Sequence, residues 1–121
     1  MPTSIRAGDA LVLVLATSAT SPADPSGPGW SLVKTMSVAS LTSKVWSKVA
    51  TASDAGTTVT VSSPLTAKSA VDLLAYRGTA ATPLRAAAAA AETTSRVTHT
   101  TPTVIASGGD RVLSVTANLI E

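Results

Sequence analysis

Seven consecutive apolar residues, Ala10–Ala16 (ALVLVLA), constrain this chain more than any other feature. A run that is apolar at every position presents no polar face to water, so it belongs in a strand that is central or covered on both sides. It falls far short of the ~20 apolar residues a membrane helix requires. With Arg6 before it and small residues from Ala16 to Ala19 after it, the run also has the outline of a short secretory signal. Asp9 at its mouth and its minimal length oppose that reading. The expectation is a buried strand bounded by Gly8 and by Ser/Thr.

The rest of the chain repeats this texture in weaker form. Residues 17–29 (TSATSPADPSGPG) carry three Pro and two Gly and make a loop by backbone chemistry. Trp30–Met36 and Lys44–Thr51 read as the next strands. Asp54-Ala55-Gly56 signals a turn into Thr57–Ser62, where Val59 and Val61 face one way and Thr58, Thr60 and Ser62 the other. Ser69–Arg77, Thr100–Ala106 and Arg111–Leu119 complete the set, the last two joined by a hairpin signal at Ser107-Gly108-Gly109-Asp110. Ala86–Ala91 is the exception. Propensity favours helix there, but so short a run between Pro83 and Thr93-Thr94-Ser95 predicts either one helical turn or an extended crossover.

The 121 residues allow a single domain. The chain holds 13 Val, 11 Leu and 3 Ile, enough for a core and too many for a disordered segment. Seven or eight short strands with turn signals at this spacing predict an all-β, antiparallel sandwich of jelly-roll-like form spanning residues 1–121.

The same residues remove most chemistries. With no cysteine, disulfides, thiol catalysis and zinc–cysteine sites are excluded, and the single His99 cannot build a multi-histidine metal centre. The sequence has no G-x-S-x-G elbow, no phosphate-cradling glycine loop and no closely spaced acids for calcium. Most of the aspartates sit at predicted turns, whereas Asp72 lies within a strand and is expected at a solvent-facing or edge position. A net charge of +2 without any basic cluster argues against nucleic acid. No catalytic, cofactor or metal site is expected, and no membrane partner.

Aromatic residues supply the remaining candidates. Trp30 opens a strand after Gly-Pro-Gly and is expected in the core. Trp46 shares a strand face with Lys44 and Lys48, so it is a surface ring covered by lysine stems, an interface anchor, or a core ring with lysines reaching out past it. Tyr76 is the other ring available for contact. Lys44, Trp46, Lys48 and Tyr76 are therefore the candidate interface or ligand-contact residues.

Taken in order, Gly8-Asp9-Ala10-Leu11-Val12-Leu13-Val14, Gly29-Trp30-Ser31-Leu32, the stretch Val45-Trp46-Ser47-Lys48-Val49-Ala50-Thr51-Ala52-Ser53-Asp54-Ala55-Gly56, Ala75-Tyr76-Arg77-Gly78 and His99-Thr100-Thr101-Pro102 resemble a β-sandwich module. Such modules occur in structural proteins of actinobacterial phages, especially minor tail and fibre-like proteins, and in some bacterial surface proteins. The resemblance runs from Gly8 to about Ala117. It implies a non-enzymatic virion component, attached to capsid or tail. Similar modules sit inside longer chains and continue past the position of Asn118 with further strands. A stop there implies an edge or face that other copies, or another virion protein, cover. A homo-oligomer is expected, with a trimer as the preferred count. The alternative is a carbohydrate- or cell-surface-binding module in which Trp46, Tyr76 and loop hydroxyls hold a glycan.

Overall fold

The computed structural model describes residues 1–118 and is all-β, with no helix among them. Four strands form one antiparallel sheet: β1 (Ala10–Thr17), β2 (Ser31–Val38), β3 (Leu41–Val49) and β4 (Ser69–Tyr76), in the order β2-β3-β1-β4. The continuous apolar run occupies an inner position, as its lack of a polar face demands. Leu13 lies opposite Trp46 on β3 and opposite Leu73 on β4.

Side-chain alternation then divides the sheet into two faces. On the inner face, Leu11, Leu13, Leu15 and Trp46 are almost completely buried. Irregular chain covers them: Trp30, Val59 and Val61 pack on Leu13, Leu15 and Trp46, while Met1, Ile5 and Ala50 pack around Leu11. On the outer face, Val12, Val45, Leu74 and Tyr76 are half-buried and Val49 is exposed. Among the described residues no second sheet and no helix lies over it.

Three of the expected strands do not form within the described residues. Thr57–Ser62 keeps its alternation, with Val59 and Val61 inward, but its backbone bonds go to the proline loop: Ala23 N–H donates to Ser62 O (3.0 Å) and Ser26 N–H to Thr60 O (2.8 Å). That loop cannot act as a full strand, since Pro22 and Pro25 contribute no N–H. Thr100–Ala106 and residues 111–118 have the right side-chain pattern yet no ladder partner, and a β pattern without a partner is not a strand. Leu119, the last residue of the second of these, lies outside the described residues. The turn between them is present: Asp110 N–H donates to Ser107 O (3.0 Å), and Ser107 N–H donates to Asp110 Oδ2 (2.7 Å). Ala86–Ala91 is not helical, because six alanines without caps bury too little to offset nucleation.

The β2–β3 hairpin closes through Ala39 and Ser40, with Val38 opposite Leu41. Ala39 has φ of 49°, the only positive value at a non-glycine residue among the described residues, which matches the first central position of a II′ turn where glycine is preferred. The Cβ strain there is on the order of 1–2 kcal/mol, against about 0.5–1 kcal/mol for the added chain entropy of glycine. Ala39→Gly should therefore stabilise the fold by about 1 kcal/mol and raise the thermal midpoint by about 4 °C. A lowered midpoint would show that the turn is not strained.

Candidate functional site

Three of the four sequence candidates, Lys44, Trp46 and Lys48, are drawn inward, into two clusters that fasten loops onto the sheet. Trp46 is 1% exposed, and its Nε1–H donates to Asp24 Oδ1 at 3.2 Å. Lys44 Nζ donates to Pro22 O at 3.1 Å, lies 4.0 Å from Asp24 and sits 5.7 Å over the Trp46 ring. Together they hold the proline-rich loop against the inner face. Trp46 thus takes the core position among the three alternatives open to it, with a lysine stem over its ring.

Lys48 belongs to the second cluster. It is 7% exposed, donates to Asp54 Oδ1 at 2.7 Å and lies 5.9 Å over the Trp30 ring. Asp54 Oδ2 also accepts from Thr51 N–H (2.7 Å) and Thr51 Oγ1–H (2.9 Å), so the turn after β3 is tied back to the strand. Trp30 is placed by packing, since its buried Nε1 has no acceptor among the described residues.

A further clamp at the same end of the sheet had no sequence signal of its own. Asp9 precedes β1, and Arg77 follows β4. The register that pairs Ala10 with Tyr76 brings them together. Arg77 Nε and Nη2 donate to the two Asp9 oxygens at 3.0 and 2.9 Å, and Arg6 N–H donates to Oδ2 at 2.9 Å. The guanidinium and the backbone donor hold the Asp9 carboxyl below its ordinary value. Lys48 and Thr51 do the same for Asp54, and Ser107 N–H with Arg85 for Asp110.

Tyr76 lies on the outer face, with Arg111 5.7 Å over its ring. It is therefore on the opposite side of the sheet from Trp46, and the two rings share no surface on which a glycan could stack. His99 pairs with Glu92 on exposed chain. Asp72 is exposed on the edge strand β4. Depressions run along Ser95–Thr98 and between β2 and Leu84–Ala87, and both are wide open. No group of three or more acidic or histidine side chains suited to a metal occurs among the described residues.

The chain matches no family model, no curated protein and no solved structure at a significant level. The geometry is then the guide to function. It consists of ion pairs serving the fold, an outer face with no second sheet or helix over it among the described residues, and a long irregular segment after β4.

The carboxylates give a signed pH dependence. Each has a folded-state pKa below its unfolded value. Their stabilisation is therefore present above about pH 4 and is lost as pH falls toward the folded values. Thermal midpoints measured from pH 7 to pH 2 should fall steeply below about pH 4. Asp54→Ala should cost about 2 kcal/mol at pH 7, through lost charge-assisted bonds, and should flatten the acid limb. An unchanged slope in that variant would remove Asp54 from the account.

Proposed function

We propose that the protein is a non-enzymatic structural module of a phage particle, held on the capsid or the tail, and that it works in an assembled state. The observation that carries this reading is the imbalance of the sheet. Its inner face is closed by Trp30, Val59 and Val61, whereas on the outer face Val14 is buried but Val12, Val45, Leu74 and Tyr76 are half-buried, with no second sheet or helix over them among the described residues. A half-buried apolar face of this kind, with Val49 exposed beside it, is suited to an association site.

The segment after β4 supports the same reading. Val97 and Ile105 are almost fully exposed and Val112 is 63% exposed, although the stretch has the side-chain pattern of strands. Chain with strand composition and no ladder is suited to pairing with a neighbour. The second layer of a jelly-roll-like sandwich is then supplied on assembly. The titratable groups support a structural role as well, since Asp9, Asp54 and Asp110 are each engaged in holding turns or strand ends.

Quantitative mass spectrometry of purified particles of the phage that encodes this chain tests the proposal. The expected result is a stoichiometric copy number that fits the particle's symmetry. Absence from intact particles, with the protein found only in the infected-cell lysate, would overturn it.

A further inference from the structure

We propose that two copies of the chain join through their β4 strands, edge to edge and antiparallel about a two-fold axis at Leu74, forming one continuous sheet. This inference deepens the assembly reading but rests on its own residues. The two edges of the sheet are not alike. The β2 edge is interrupted by a bulge between Leu32 and Lys34 and carries the exposed Lys34, both standard protections against edge pairing. The β4 edge has neither. Its register with β1 is unbroken from Ser69 to Tyr76, and it contains no proline and no lysine. No other described segment makes a backbone bond to it.

Symmetry and charge select the register. Opposed residues in an antiparallel ladder lie on the same face, so a two-fold axis normal to the sheet must pass between a residue and its own copy. At Asp72 the axis would oppose two like charges, which is destabilising. At Leu73 it would leave the two carboxylates diagonal neighbours. At Leu74 it sets Asp72 directly opposite Tyr76 of the other copy, whose ring carries Arg111 5.7 Å away. Within one chain Asp72 and Tyr76 are about 13 Å apart along the strand. Across the proposed seam their Cα atoms are about 5 Å apart. Among the described residues neither Asp72 nor Arg111 has an ion-pair partner, and the seam provides one for each, twice over.

The apolar side chains agree with that choice. Leu74 meets its own copy on the outer face, and Leu73 meets Ala75 on the inner face. The outer faces of the two copies, with Leu74 at the seam and Val12 beside it on β1, then merge into one apolar platform facing the same way. The pairing is small, so the dimer should form at micromolar to high-micromolar concentration and not below.

Light scattering across a concentration series and cysteine trapping test the proposal together. At roughly 100 µM the protein should approach twice its 12.0 kDa mass. Asp72→Arg should weaken association at least tenfold while leaving the β spectrum unchanged, and the charge swap Asp72→Arg with Arg111→Asp should restore it. In this cysteine-free chain, Leu74→Cys should give a disulfide-linked dimer on oxidation, whereas Leu73→Cys should not. A wild-type chain that stays monomeric at that concentration would overturn the pairing, as would trapping at Leu73 alone or a dimer indifferent to Asp72→Arg. A monomer that is nonetheless stoichiometric in particles would overturn only the pairing and leave the particle reading standing. A dimer absent from particles would do the reverse.

Discussion

The packing of Leu13 and Leu15 with Trp46, continued through Leu73 to Leu11, is the contact on which the rest of the structure depends. Among the described residues β1 is the only strand apolar on both faces, and it hydrogen-bonds to β3 on one side and β4 on the other. Trp46 is the largest fully buried side chain and sits directly across from Leu13. Because the chain has few aromatic residues, this one ring and the three leucines are its largest almost completely buried apolar side chains. The small residues that dominate elsewhere fill loops and surface.

Polar groups position what the apolar contact attracts. The Asp9–Arg77 clamp ties the start of β1 to the end of β4, and the Lys48–Asp54 pair ties the turn after β3 to the same end of the sheet. Asp24 and the Pro22 carbonyl bind the proline loop to Trp46 and Lys44. Lysines that look like surface residues in a strand of alternating pattern therefore face inward and reach acceptors on the covering loops. An assembly surface built from such residues would have to break these bonds. The face on the other side of the sheet, which has no second sheet or helix over it among the described residues, requires no such cost.

Most of the sheet was legible because its strands are marked by local chemistry. Ala10–Ala16 announced a covered strand, and the strands around Trp30, Trp46 and Tyr76 fell within a few residues of their observed limits. What could not be read were properties of pairing. Asp9 and Arg77 are 68 positions apart and meet only because Ala10 is in register with Tyr76. Thr57–Ser62 showed which side chains turn inward, but not that its partner would be a loop with two prolines. Thr100–Ala106 and the stretch after Asp110 carry the composition of strands, and composition does not supply a neighbour.

Residue-resolved amide hydrogen exchange on the isolated protein tests the central claim most directly. If β1 is the element on which the fold is built, the amides of Leu11–Leu15 should exchange slowest, at the rate set by global unfolding. Those of residues 79–118, apart from the turn at Ser107 and Asp110, should exchange as fast as unstructured chain. Protection in Arg111–Ala117 equal to that of β1 would contradict the account, because it would place a further strand inside the folded protein without any partner.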